Sequence, residues 1–199
     1  MHPLGAVTIV VVVLYILARE IAKRVIDAKL QALYATNRYD ECIELLNKPV
    51  SRILLPTYQQ YLQRFTVYEA KRDDKAALFT LDTLLGLRLS KRHRLMAVTR
   101  AFNYYVRQGK GAKSKVMLDE IAACGNRELV ADCRLTYAIV FSGEHGYIAQ
   151  MESLLEKAVP EQKAKLCFLL SKQYANAGDR EKAREYRRLA EGAEKELAY

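Results

Sequence analysis

Glycine and proline are scarce in this sequence, nine and four among 199 residues. No stretch alternates apolar and polar residues for long, which argues against a sheet-built fold and leaves an all-α one. There is no CxxC. The four cysteines, Cys42, Cys124, Cys133 and Cys167, are widely spaced in or beside helical patterns. Their even number permits disulfides, but packing as small, reduced side chains explains them and is the expectation. Of the three histidines, His93 and His145 have no partner at a metal-ligand spacing of three or four residues, so no metal site is expected. The run Gly109-Lys110-Gly111-Ala112-Lys113-Ser114 invites comparison with a phosphate loop, yet it lacks the GxxxxGK[ST] spacing and a preceding strand. Carboxylate pairs such as Asp73-Asp74 sit where a helix start would put them. No catalytic constellation remains. The chain is expected not to be an enzyme, and to take no cofactor, metal or small-molecule substrate.

What is there, first, is positive charge: a formal net charge of +9. Its clusters are short, namely Lys91-Arg92-His93-Arg94, the lysines of residues 110–115, and Arg184 with Arg187-Arg188. Aromatic residues are not interleaved with them in the manner of a single-strand platform, so no nucleic-acid partner is expected. Clusters of this size ordinarily mark a solvated helix face.

Residues 4–18, LGAVTIVVVVLYILA, carry no charge. As a helix they cover about 22 Å, short of the ~30 Å apolar core of a bilayer. Extension over residues 1–22 closes the gap if Arg19 and Lys23 reach back to the interface. A cleaved signal peptide would carry its positive charge before the run, whereas here His2 and Pro3 precede it and Arg19, Lys23, Arg24 and Lys29 follow. A buried core helix fits poorly with residues 9–13 apolar on every face. Residues 1–22 are therefore expected to be a single-pass N-terminal membrane anchor, with the basic flank placing residues 23–199 in the cytoplasm. The helix is expected to run on through Ile21, Val25, Ala28 and Ala32 without a linker.

Beyond the anchor the chain repeats. Around residues 174–190, YANAGDREKAREYRRLA, one helix ends near Gly178 and a second begins at Asp179. The second carries Ala183, Tyr186, Ala190, Ala193 and Leu197 as one apolar stripe. A large apolar residue four before the turn and a small one five after it define the unit: Tyr174, Gly178, Ala183. The same unit recurs as Tyr105, Gly109, Ser114, as Tyr68, Arg72, Ala77, and as Leu33, Asn37, Cys42. A weaker copy falls at Val140, Glu144, Ala149, where Gly143, Gly146 and Tyr147 offer competing turns. The turn positions 37, 72, 109, 144 and 178 are spaced by 35, 37, 35 and 34 residues. Helices are expected near residues 56–71, 75–87, 91–108, 111–123, 127–142, 147–159 and 160–177. Residues 48–55 form the longest connection expected to be non-helical.

The unit resembles the tetratricopeptide repeat (TPR), a helix-turn-helix of about 34 residues. The match is nearest in residues 174–190 and next in 33–46, LYATNRYDECIELL. It departs from the family in having no tryptophan anywhere. The resemblance implies a right-handed superhelical solenoid of about five helix hairpins, with function on the concave face made by the first helices. An irregular helical bundle is the plain alternative. Carried over, the family's groove positions fall on Gln59, Leu62 and Thr66, then Met96, Thr99, Arg100, Asn103 and Arg107, then Arg134 and Ala138, and finally Lys165, Phe168, Lys172 and Asn176. The partner-binding groove is thus expected at Gln59, Arg100, Asn103, Arg107, Arg134, Lys165, Phe168, Lys172 and Asn176. It is basic, carries amides and contains no acid, with Arg100 and Arg134 facing solvent. Such a surface suits an acidic or carboxylate-terminated protein segment. The function expected is a membrane-anchored adaptor or scaffold for protein binding. The competing reading is a structural subunit of a membrane complex, which would carry a large apolar patch away from the groove.

Overall fold

The computed structural model describes the backbone of residues 3–196 and the side chains of 11–160 and 162–193. Among them there are eleven helices and no strand, so the chain is all-α. They are α1 (Pro3–Ala35), α2 (Tyr39–Asn47), α3 (Pro49–Leu54), α4 (Thr57–Ala70) and α5 (Asp74–Gly86). There follow α6 (Lys91–Arg107), α7 (Gly111–Cys124), α8 (Arg127–Phe141), α9 (Ile148–Glu156), α10 (Pro160–Asn176) and α11 (Arg180–Glu196). The expected spans agree with these to within a few residues at their ends. Helix α1 is unbroken over 33 residues, so the apolar run continues into the repeat region without a linker. Among the described residues no helix is long and apolar enough to cross a membrane. Side chains 1–10 of the expected anchor, and Leu197 of the last stripe, lie outside the described residues.

Four turns share one cap. Asn37, Arg72, Gly109 and Gly178 have φ of 57°, 60°, 66° and 88°, which puts each in the left-handed region. In each turn the N–H of that residue donates to the carbonyl three back: Tyr34, Glu69, Val106 and Ala175 at 3.0–3.2 Å. The next N–H, of Arg38, Asp73, Lys110 or Asp179, donates to the carbonyl of Leu33, Tyr68, Tyr105 or Tyr174 at 2.9–3.0 Å. This pair of bonds satisfies carbonyls that a helix end otherwise leaves without donors, and it reverses the chain. Asp73 and Asp179 then accept from the N–H of Ala76 and Lys182, both at 3.0 Å, and start the following helix. The small residues Cys42, Ala77, Ser114 and Ala183 are buried where each second helix meets its first. A bulky side chain there would hold the two backbones apart.

Contacts divide the chain into two compact units, Met1–Arg88 and Leu89–Tyr199. In the first, α2 packs on both α1 and α4. Ile26, Leu30, Leu33, Cys42, Leu45, Leu46, Leu55 and Val67 form one buried cluster. Residues 48–55 are not the open connection expected. Pro49 starts α3 in its first turn, where the missing N–H costs nothing. Buried Gln60 then closes it by donating from Nε2 to the carbonyls of Leu55 and Arg52 at 2.7 and 3.0 Å. A six-residue helix shows no periodicity, which is why pattern alone misses it.

In the second unit, α6 is buried over Ala97, Val98, Ala101, Phe102, Tyr104, Tyr105 and Val106, and packs on α7. The fourth turn is the irregular one. Its left-handed residue is Gly143, φ 78°, one position before the expected Glu144. The register shift puts Ile139, fully buried, in the large-residue position. It puts Ile148 where the other hairpins have a small residue, so α9 cannot close on α8 as the others do, and it packs on α10 instead. Helix α10 also supplies the missing hydrogen bonds. Asn176 Nδ2 donates to the carbonyls of Ile139 and Glu144 at 2.8 and 3.0 Å. Fully buried Gln173 accepts from the Tyr147 N–H at 2.9 Å. All four cysteines are free thiols, and burial pushes Cys133 up to about 11.

The shared cap gives a paired test. A Cβ added at Gly109 or at Gly86 meets nothing within 4 Å, but only Gly109 has positive φ. Gly109→Ala should therefore cost about 1–2 kcal/mol through backbone conformation alone, while Gly86→Ala should not destabilise. Urea unfolding followed by circular dichroism measures both; equal losses would contradict the account.

Candidate functional site

Three of the expected groove residues meet in one place. Arg107, in the last turn of α6, lines a depression with Phe168, Ser171 and Lys172 of α10 and Arg187, Ala190 and Glu191 of α11. The depression has a volume of about 270 Å³. The spacing explains the convergence. Phe168 and Lys172 are one turn apart on α10, and Arg187, Ala190 and Glu191 are three and four apart on α11. Lys172 Nζ stands 5.6 Å from the centroid of the Phe168 ring, a contact worth about 0.5–1 kcal/mol at an exposed site. The lining has three cations and one carboxylate over an aromatic face. Arg187, Ala190 and Glu191 were not among the expected groove residues, because the α11 charges read as a solvated face. Glu191 also corrects the expectation of a groove without acid.

The other expected residues take different places. Arg134 and Asn103 are exposed on α8 and α6, whereas Arg100 is half-buried rather than solvent-facing. Lys165 is held by Asp132, at 2.7 and 2.6 Å to its two carboxylate oxygens, a second acid close to the expected groove. Asn176 is a cap for the end of α8, as described, so its amide nitrogen is already engaged. Gln59 belongs to the first unit, where its Nε2 donates to Asp27 Oδ1 at 3.0 Å. Leu62 and Thr66 line the same depression of that unit as Gln59.

A polar network fixes α11 against α9 and α10, and so fixes the wall that carries Arg187 and Glu191. Glu152 Oε1 accepts from the hydroxyls of Tyr174 and Tyr186 at 2.6 and 2.9 Å. The two rings stack at 5.4 Å with an 8° interplanar angle. Lys182 Nζ donates to the Tyr174 hydroxyl at 3.2 Å and lies 4.9 Å from its ring centroid. The hydrogen bond from Tyr174, then that from Tyr186, hold the Glu152 carboxyl below its ordinary range. Burial, then the hydrogen bond to Glu152, push the Tyr186 hydroxyl up. At the opposite end of this unit Arg94 forms a bidentate pair with Glu120 at 2.5 and 2.8 Å, tying the start of α6 to the end of α7.

Among the described residues no group of three or more His, Cys, Asp or Glu could hold a metal ion. No protein-family model, curated protein or solved structure matches this chain.

Because the folded Glu152 carboxyl titrates below its unfolded value, it adds stability above about pH 4.5 that is lost as pH falls through the lower folded value. The stability gap between wild type and Glu152→Gln should therefore shrink as pH drops from about 6 towards 3. Urea unfolding at several pH values checks this, and a constant gap would contradict it.

Proposed function

We propose that this chain is a TPR-like adaptor that binds an acidic or carboxylate-terminated protein segment at a membrane surface. The observation that carries the reading is the depression where Arg107, Lys172 and Arg187 converge over Phe168. Cations from three helices add their potentials in a concave site, where solvent screens them less than on an open face. An arginine presents a planar fork of donors that matches a carboxylate, and Phe168 offers an apolar face to the segment's stem. The TPR-like part of the reading rests on the recurrent left-handed cap and on the small residue five positions beyond it. The membrane part rests on residues 11–17, all exposed although every one is apolar, followed by Arg19, Lys23 and Arg24. Helices with such exposed apolar surface are stable where lipid or protein covers it.

The structural-subunit reading needs a contiguous apolar patch, for which Ile53 and Phe79, 75% and 74% exposed, are the candidate members. They belong to α3 and α5 and lie outside the candidate site.

Full-length protein in detergent should bind a glutamate-rich peptide with a free C-terminus, measured by fluorescence anisotropy. Lys172→Glu with Arg187→Glu should weaken that binding by about tenfold or more, and raising salt should act in the same direction. Unchanged affinity in the double variant would discard the site. Deleting residues 1–18 should move the protein from the membrane pellet to the supernatant on alkaline carbonate extraction; if the intact chain is itself extracted, the anchor is wrong.

A further inference from the structure

The first unit has a depression of its own, between α1, α2 and α4, with a volume of about 470 Å³. Its walls include the apolar side chains of Leu30, Leu62 and Val67. Among the side chains lining it only Asp27 is charged, and the polar neighbours that matter are Gln59 and Gln63. Asp27 Oδ1 accepts from Gln59 Nε2 at 3.0 Å and from Gln63 Nε2 at 3.2 Å. A carboxylate only accepts, so it fixes which end of each amide faces it. Gln63 is left with its carbonyl oxygen as an acceptor, and that oxygen is shielded from solvent with no donor in reach. A buried carbonyl without a donor bears its desolvation uncompensated. The depression therefore carries one negative charge beside one carbonyl that lacks a donor, although Gln31 and Tyr34 also line it. An anion would be repelled by Asp27. A neutral amide would fill the Gln63 carbonyl but leave the carboxylate's charge unanswered. An ammonium or guanidinium group answers the carboxylate directly, and the Gln63 carbonyl once that side chain turns its oxygen toward the depression, since it is positive and carries donors only, and an aliphatic stem suits the leucine and valine walls.

We propose that this depression binds an aliphatic chain ending in a protonated amine or guanidinium, as carried by a lysine or arginine side chain or by a free alkylamine. The site is separate from the cationic depression of the second unit and takes the opposite charge.

The test uses full-length protein in a neutral detergent and isothermal calorimetry with four probes. They are a capped Leu-Lys-Leu peptide, its Nε-acetylated form, its Leu-Glu-Leu counterpart and n-pentylamine. The lysine peptide should bind about tenfold or more tightly than the acetylated one, as loss of a charged hydrogen bond implies. The glutamate peptide should bind weakest. Asp27→Asn keeps the side chain's shape and should abolish the preference for lysine over acetyl-lysine. Gln63→Leu, a second variant that leaves Asp27 in place, should reduce it. Circular dichroism melting confirms that each variant is folded. Pentylamine competing at the concentration at which it binds alone points to a free amine as the natural source; a peptide far tighter than the amine points to a protein side chain. Equal binding of the lysine and acetyl-lysine peptides would overturn the proposal. So would a preference for glutamate, an undiminished preference in folded Asp27→Asn, or no binding of either the lysine peptide or the amine.

Discussion

The structure depends on where a single residue adopts positive φ. A helix ending in the left-handed conformation satisfies two of its last carbonyls and sends the chain back along itself. That return sets the distance between paired helices, so a small residue must sit five positions on, as Cys42, Ala77, Ser114 and Ala183 do. The carbonyl that accepts the wider-spanning cap bond belongs to Leu33, Tyr68, Tyr105 or Tyr174, and of these Leu33, Tyr105 and Tyr174 are buried. The candidate sites follow from the same reference point. Arg107 stands two residues before Gly109, and Lys172 six before Gly178, so the turn determines which way each first helix presents them.

Because the cap is local, it is legible. Positions 37, 72, 109 and 178 follow from one large, one turn and one small residue at fixed spacing. The fourth turn is offset by one because Gly143 and Gly146 both permit a reversal, and residue type alone does not choose between them. The choice comes from tertiary bonds, those that Gln173 and Asn176 make from α10. Helix α3 is hidden for a related reason, since Gln60 secures it from the next element. The lining of the candidate depression is legible only where it lies on first helices. Arg107, Phe168 and Lys172, which repeat position groups together, line it, whereas Arg187 and Glu191 lie on a second helix whose charges have no pattern distinguishing them from solvated ones. Asp27 shows nothing special in sequence. Its role appears only when Gln59 and Gln63 come to rest beside it.

The helix hairpins thus frame two depressions whose linings differ in the sign of their charge. What separates them is which charged side chains line each. Lys165 is matched by Asp132 in a pair about half exposed, an arrangement that contributes little to stability but removes a cation from the available surface. Arg107, Lys172 and Arg187 share a single lining carboxylate, Glu191. In the first unit the lining is of the other sign, with one carboxylate, Asp27, bonded by the amides of Gln59 and Gln63, which cannot neutralise it.

Helix α1 has no glycine or proline from Ala6 to its end. A helix without such a joint bends only gently, so it behaves as a stiff rod about 50 Å long. Asp27 rides on that rod, nine residues, or about 14 Å, beyond the end of the apolar run. A tilt or rotation of residues 11–18 would therefore act on the wall of the depression through helix with no joint between them. A turn of the rod about its axis swings Asp27 relative to Gln59 and Gln63, which are fixed on α4. The apolar run and the wall of the depression thus lie on one continuous helix, anchored at its far end by Ile26, Leu30 and Leu33 in the buried cluster.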